Sequence, residues 1–317
     1  MRKTTASMFE GTKGLPEELG GSVVAIGNFD GVHRGHMAVL GTALELARRS
    51  SAPATVLTFE PHPRTWFRPQ QPVFRLTPAS LKVRKLVETG FDAVIVQAFD
   101  ESFSAVTAND FITRILASEL AASHVVAGHD FHFGKGREGT PQLLAEQGPG
   151  AGFAVSLVEP FRTGDGEVVS STRIRNALST GDVALANALL GWPWRVSGEV
   201  RHGKKLGRTL GFPTANLALP GEVTLRHGIY AVRLYRADGS AHDGVASYGR
   251  RPTFDNGEAL LETFVLDFSD DLYGEIVEIE FHAFLRGEER FDSAEALVVQ
   301  MQADTRAARD ILSARST

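Results

Sequence analysis

Two histidines spaced three apart, His33 and His36, stand in the run Gly27-Asn28-Phe29-Asp30-Gly31-Val32-His33-Arg34-Gly35-His36. Glycines let a backbone come close to phosphates, and the N–H groups that open a helix attract anions. Imidazoles beside such an anion can donate hydrogen bonds to phosphoryl oxygens as charge develops. An apolar run, Val23–Ile26, leads in, and Met37, Leu40, Leu44 and Ala47 follow at helical spacing. The segment therefore predicts a strand, a tight glycine turn and a helix, with one histidine in the turn and one at the helix start. The plain alternative is a glycine-rich turn with two surface histidines.

Three further groups follow predicted strands or open predicted helices. Thr58-Phe59-Glu60-Pro61-His62-Pro63-Arg64 is a loop stiffened by two prolines, with an aromatic beside it, and can wall a pocket for a flat ring. Gly128–Gly139 alternates aromatics with Asp130, which suits stacking and polar orientation of a heteroaromatic ligand. Lys135 and Arg137 on the same glycine loop suit phosphate. Ser170-Ser171-Thr172-Arg173-Ile174-Arg175 opens a helix whose caps and free N–H groups, with Arg175, suit phosphate as well.

A second chemical region begins near Gly198. Gly203, Lys205, Gly207, Arg208 and Pro213 lie in a glycine-rich basic run that can form a flap over a polyphosphate. No Walker pattern is present. Thr214 and Asn216 are two apart, so on an extended strand both point to one side. A hydroxyl and an amide carbonyl together make a hard-cation site, with phosphate oxygens supplying other ligands. Glu262 stands in the otherwise apolar run Leu260–Leu266, where a carboxylate needs a partner or a role. It can take the proton from an attacking hydroxyl.

The elements that must position these groups change character along the chain. Strand-like runs at Val23–Ile26, Ala54–Phe59, Ala93–Gln97, His124–Ala127 and Phe153–Val158 alternate with helical patterns at His36–Arg49, Ala79–Thr89, Thr107–Glu119 and Pro141–Glu146. That alternation predicts a parallel sheet covered by helices, with ligands beyond the carboxyl ends of its strands. From about residue 191 the strands become short and frequent: Trp194–Val200, Ile229–Tyr235, Asp243–Ser247, Leu261–Phe268 and Ile276–Phe281. This predicts an antiparallel barrel or sandwich, closed by a helix over Ala294–Ser313. The break at Gly191-Trp192-Pro193 suggests two domains, 1–188 and 189–317.

At 317 residues, 43% hydrophobic and 22% charged, the chain has room for two ordinary cores. A net charge of −5 favours no nucleic-acid partner. The absence of cysteine excludes disulfides, thiolate metal sites and cysteine nucleophiles, and fits a cytoplasmic enzyme. No stretch approaches the ~20 apolar residues of a membrane span.

The motifs resemble those of the bifunctional bacterial riboflavin kinase/FMN adenylyltransferases, the prokaryotic FAD synthetases. The likeness runs from about Gly21 to Asp304. It rests on Gly-x-Phe-Asp-Gly-x-His-x-Gly-His at 27–36, Thr-Phe-Glu-Pro-His-Pro at 58–63, Gly-x-Asp-Phe-x-Phe-Gly at 128–134 and Ser-Ser-Thr-x-Ile-Arg at 170–175. It continues through Gly-Arg-x-Leu-Gly-Phe-Pro-Thr-Ala-Asn at 207–216, Arg-Pro-Thr-Phe at 251–254 and Leu-Glu-Thr at 261–263. The resemblance implies a Rossmann-like nucleotidyltransferase domain followed by a mainly antiparallel β-barrel kinase domain with a C-terminal helix. It implies that ATP phosphorylates riboflavin to FMN, and that a second ATP adenylylates FMN to FAD with release of pyrophosphate. By the same likeness His33 and His36 stabilise charge on the ATP phosphates. Gly27, Phe29, Asp30, Gly31, Ser170, Ser171, Thr172 and Arg175 then bind that ATP. Phe59, His62, Pro63, Asp130, Phe131 and Phe133 border the flavin. In the barrel, Gly203, Lys205, Gly207, Arg208, Pro213, Thr214 and Asn216 hold ATP, the last two with Mg²⁺, and Glu262 is the base.

One segment departs from the family pattern. The family usually carries Asn and an aliphatic residue before the Gly of Gly-x-Arg-Pro-Thr-Phe; here Ser247-Tyr248 precede Gly249. The rival readings are an adenylyltransferase for another phosphorylated substrate with a non-catalytic barrel, and a flavin-sensing protein on the same two folds.

Overall fold

The computed structural model describes residues 7–202, 214–219, 223–250 and 259–314. The chain divides into two compact units. One takes the chain to Val73 and again from Ala79 to Ser170; the other takes Phe74–Pro78 and everything from Ser171 onward.

In the first unit β1 (Ser7–Glu10) and β2 (Val23–Ile26) precede α1 (Arg34–Ser50), then β3 (Ala54–Glu60), the short α2 (Pro63–Phe67) and α3 (Ala79–Glu88). Next come β4 (Ala93–Ala98), α4 (Glu101–Ser104) and α5 (Ala108–Asp110), which runs on as π-helix over Phe111–Glu119. β5 (His124–Gly128), α6 (Pro141–Gln147) and β6 (Ala154–Val158) complete it. The strands form a parallel sheet in the order β1-β4-β3-β2-β5-β6. Strands β2, β3 and β5 read as near-continuous apolar runs because both faces of such a sheet are buried. β1, a strand the sequence pattern does not announce, adds an edge beside β4. The strand order reverses direction at β2 and β5, so the crevice beyond their carboxyl ends is where this topology opens a ligand site. The histidine turn leaves β2 at that point.

The second unit begins with α7 (Ser171–Thr180) and α8 (Val183–Leu190). A closed barrel follows, of β7 (Arg195–Arg201), β8 (Thr214–Ala218), β9 (Gly228–Tyr235), β10 (Ala241–Arg250), β11 (Ala259–Val265) and β12 (Ile276–Arg286), in the order β10-β11-β8-β7-β12-β9. All pairings are antiparallel, and because β9 pairs back to β10 the sheet closes on itself, so the sandwich alternative falls away. Closure removes the exposed strand edges that an open sheet would carry. α9 (Ala294–Ser313) lays Ala308 and Leu312 against Ala231 on the outside. The predicted strand over Leu261–Phe268 stops at Val265, since Asp267 turns the backbone at φ 53°.

The texture of the sequence changes at 187–193, but packing divides the chain earlier. Asn187 explains part of this: its Nδ2 donates to the Phe281 carbonyl at 2.8 Å and its Oδ1 accepts from the Trp194 N–H at 2.8 Å. Phe74–Pro78 joins the same unit because Trp194, fully buried, donates from Nε1 to the Leu76 carbonyl at 3.0 Å and meets the Phe74 ring edge-on at 5.7 Å. Arg175 Nε donates to the Phe74 carbonyl at 2.7 Å. Removing a buried phenylalanine ring costs about 3–5 kcal/mol. Phe74→Ala is therefore expected to lower the unfolding midpoint of the barrel unit, followed by Trp194 fluorescence in urea. An unchanged midpoint would show that this ring does not support Trp194.

Candidate active sites

The turn after β2 is built by its own backbone. Phe29 and Val32 hold φ of 47° and 38°, values uncommon outside glycine, and Gly31 holds 93°. The Phe29 ring is buried and folds back over Gly27, where a Cβ would meet it at 3.0 Å. Any larger residue at 27 would press on that ring. The chain then enters α1 with His33 as its cap. The His36 N–H donates to His33 Nδ1 at 3.2 Å, and the His33 N–H donates to His36 Nδ1 at 3.4 Å. The two rings stack with centroids 3.5 Å apart and 15° between planes. Because both Nδ1 atoms accept, the neutral rings carry their protons on Nε2. Both histidines thus carry Nε2–H donors at a helix N-terminus, an arrangement that suits an anion. The Phe29 ring stands edge-on to His36 at 5.3 Å and holds it from the other side. Asp30 is buried in the same turn.

A cleft of about 580 Å³ opens beside this turn within the first unit. Phe59, His62, Pro63, Phe131 and Phe133 line it, as the sequence suggests. Asp130 is exposed and is not among the lining residues. Sequence reasoning missed Phe99, Phe103 and Phe111, which complete the aromatic wall: Phe59 lies 5.6 Å from Phe103, and Phe111 5.0 Å from Phe133. Arg68 at the lining was missed as well, while Asn28, Arg64 and Arg137, each within a run the sequence singles out, belong to it. The Phe131 and Phe133 rings stack at 5.8 Å with 16° between planes. Backbone bonds in both directions between Phe133 and Gly139, at 3.1 and 2.9 Å, close the loop that carries them. A cleft of this size, mostly aromatic with a few cations, suits a flat polar-edged ligand bearing phosphate.

Ser170 ends the first unit, and Ser171, Thr172 and Arg175 open α7 in the second.

In the barrel, strand alternation sorts the candidates. Ala215, Leu217, Leu261, Thr263, Ala246 and Tyr248 are buried on one face, with Tyr230 and Phe281. On the other face the register sets Ser247 opposite Glu262, and Glu262 opposite Asn216. Side chains paired this way across antiparallel strands stand about 5 Å apart at Cβ. Thr214 shares that face two residues from Asn216. Asn216 Nδ2 donates to the Thr214 carbonyl at 3.2 Å, while its buried Oδ1 has no hydrogen-bond partner among the described residues. An orphaned carbonyl oxygen beside a carboxylate suits a hard cation. No cluster of three or more His, Cys, Asp or Glu that could hold a metal ion occurs among the described residues. Tyr248 turns away from this row; its hydroxyl donates to the Val223 carbonyl at 3.2 Å. Gly203, Lys205, Gly207, Arg208 and Pro213 lie outside the described residues, as does Arg251-Pro252-Thr253-Phe254.

The chain thus joins a histidine-capped turn at the switch point of a parallel sheet to a polar row on a closed antiparallel barrel, the architecture of a two-unit α/β plus β-barrel protein. The FAD synthetase family profile matches residues 15–173, and the riboflavin kinase profile matches residues 190–312. The bifunctional riboflavin kinase/FMN adenylyltransferase of Escherichia coli strain K12 is 41% identical over 295 residues, 93% of each chain. That of Pseudomonas fluorescens is 42% identical over 307 residues, covering 95% of this chain and 96% of the relative. A crystal structure described as a macrolide-efflux protein from Streptococcus pneumoniae is 32% identical with a TM-score of 0.85, over 96% of this chain and 99% of that one. The efflux description stays with that protein; among the described residues no helix is long and apolar enough to cross a membrane. The chain belongs to the family of bifunctional riboflavin kinase/FMN adenylyltransferases.

Gly35 supplies a sharp test of the histidine geometry. A Cβ there would lie 3.0 Å from the Val169 carbonyl and 3.1 Å from the His33 ring. Gly35→Ala is expected to displace that ring and to weaken binding of a nucleoside triphosphate to the sheet unit, read by calorimetry. Unchanged affinity would mean that the His33 position does not set the phosphate contact.

Proposed function

We infer that this chain makes FAD from riboflavin in two ATP-dependent steps. The barrel unit transfers the γ-phosphoryl group of ATP to the 5′-hydroxyl of riboflavin, giving FMN and ADP. The sheet unit joins FMN to the adenylyl group of a second ATP: an FMN phosphate oxygen bonds to the α-phosphorus as the bond to the β-phosphate oxygen breaks and pyrophosphate leaves. The observation that carries this reading is the presence of both family profiles on one chain whose relatives match it nearly end to end. The kinase, nucleotidyltransferase and flavin-biosynthesis assignments follow from it.

The residues support a division of labour. His33 and His36, capped as Nε2–H donors, receive charge that develops on the ATP phosphates. Phe59, His62, Pro63, Phe131 and Phe133 hold the flavin ring of FMN in the aromatic cleft. We assign Gly27, Phe29, Asp30, Gly31 and Ser170 to the same nucleotide, and Ser171, Thr172 and Arg175 to phosphate on the strength of their motif. In the barrel, Glu262 takes the proton of the attacking hydroxyl. Thr214 and Asn216 would hold Mg²⁺, which supplies charge neutralisation on ATP. Transfer needs no covalent enzyme intermediate, since in-line attack depends on positioning and charge stabilisation. A cytoplasmic location fits consumption of ATP and the absence of cysteine.

Purified protein with riboflavin, ATP and Mg²⁺ is expected to give FMN and then FAD by chromatography. Formation of neither overturns the reading; FAD from added FMN without riboflavin phosphorylation supports a non-catalytic barrel instead. His36→Ala is expected to lower FAD formation ~10²–10³-fold with FMN formation intact, and Glu262→Gln to lower kinase turnover ~10²–10⁴-fold with adenylylation intact. A uniform loss of both activities in either folded variant would contradict the assignment of that residue to one site. Ser247→Asn restores the family's usual side chain opposite Glu262 and is expected to lower the kinase KM for ATP. An unchanged KM would show that serine already suffices.

A further inference from the structure

Lys82 is almost fully buried, 1% exposed, in a helix whose Arg84 and Glu88 are exposed and whose Lys85 is half-buried. A buried ammonium must be fully paired, because desolvation of an isolated cation is prohibitive. Its partners come from two places, the end of β3 and the turn after β2. Nζ donates to the Phe59 carbonyl at 3.0 Å and to the Asn28 carbonyl at 3.3 Å, and sits 2.6 Å from Glu60 Oε1. The Thr58 hydroxyl also donates to the Asn28 carbonyl, at 3.1 Å. Asn28 immediately precedes Phe29, whose ring folds over Gly27 and meets His36 edge-on. Phe59 and Asn28 both line the aromatic cleft. The ammonium thus clamps the end of β3, which carries the ring-binding wall, to the turn after β2, which carries the histidines.

We propose that Lys82 is the positioning residue of the adenylyl-transfer site: from α3 it sets the spacing between the flavin wall and the phosphate-binding histidine turn. The proposal rests on the FMN adenylylation reading above. Lys82 need not touch substrate. Its charge is matched by Glu60, and its three donor directions meet acceptors from both places. An apolar side chain of similar length would fill the space but leave the Asn28 and Phe59 carbonyls without their shared donor. The two walls would then drift independently, and misplacement by about 1 Å can cost ~10²-fold in rate.

The test uses the full chain, where riboflavin phosphorylation serves as an internal control. Lys82→Met is expected to lower kcat for FAD formation from FMN by ~10²-fold while the rate of FMN formation and the near-ultraviolet circular dichroism hold. Glu60→Gln keeps the acceptor oxygen and shape, and is expected to give a smaller loss in the same direction. If Lys82 acts through the histidine turn, Lys82→Met combined with His36→Ala loses little more than His36→Ala alone; a merely structural lysine gives losses that multiply. Full adenylylation in Lys82→Met, or multiplying losses in the double variant, overturns the proposal. Should Lys82→Met fail to fold, wild-type adenylylation in Glu60→Gln overturns it. If the unaltered chain forms no FAD from FMN, the adenylylation reading itself fails and the proposal with it, an outcome told apart because no variant is needed to see it.

Discussion

The paired hydrogen bonds between His33 and His36 depend on one another, and much of the first unit is arranged so that they can form. Each ring accepts from the other residue's backbone N–H, so neither ring can rotate without orphaning a donor at the start of α1. The exchange satisfies two of the N–H groups that every helix leaves open, and it selects the tautomer that points a donor outward. It is possible only because the chain before it is bent through left-handed backbone at Phe29, Gly31 and Val32. Such backbone persists where surrounding structure over-determines it. The buried Phe29 ring, the Asn28 carbonyl held by two donors, and the close fit at Gly35 supply that determination.

The barrel obeys a different constraint, the strict alternation of strand side chains. Every residue facing the filled interior forces its neighbour to the opposite face. The departure from the family pattern at Ser247-Tyr248 divides along this line. Tyr248 fills the interior and closes a hydrogen bond to Val223, so its bulk is absorbed by the core. Ser247 alone stands beside Glu262. A pair of changed residues thus reduces to one short polar side chain opposite Glu262. Elsewhere on the barrel the same alternation buries a charged cluster. Desolvation works to raise the Glu280 carboxyl, but the His282 ring, with Nε2 2.8 Å from Oε1, and the charge of Arg195 hold it below the usual value.

What the sequence revealed follows from how local each signal is. Gly27–His36 is legible because strand, glycines, histidines and helix lie within one contiguous stretch. Thr214 and Asn216 are legible because period two needs no knowledge of partners. The aromatic wall is only half legible: Phe59, Phe131 and Phe133 flank glycine and proline motifs, but Phe99, Phe103 and Phe111 join them through tertiary packing alone. Lys82 escaped for a similar reason. A lysine in an amphipathic helix reads as solvated, yet it shares a face with Leu86, four residues on, which is fully buried. Asp130, a polar residue between aromatics, stands exposed on the turn rather than among the residues that line the cleft. β1 was invisible because four residues at a sheet edge carry little pattern.

The seating of Leu76 against Trp194 has a consequence for how the protein is made. The two residues are separated by 118 positions. At ribosomal speeds of ~5–20 residues per second, roughly 6–24 s pass between their syntheses. Through that interval Phe74 and Leu76 have left the ribosome with no Trp194 to cover them. The nascent chain therefore carries an apolar segment, flanked on both sides by residues of the first unit, before the residue that covers it exists.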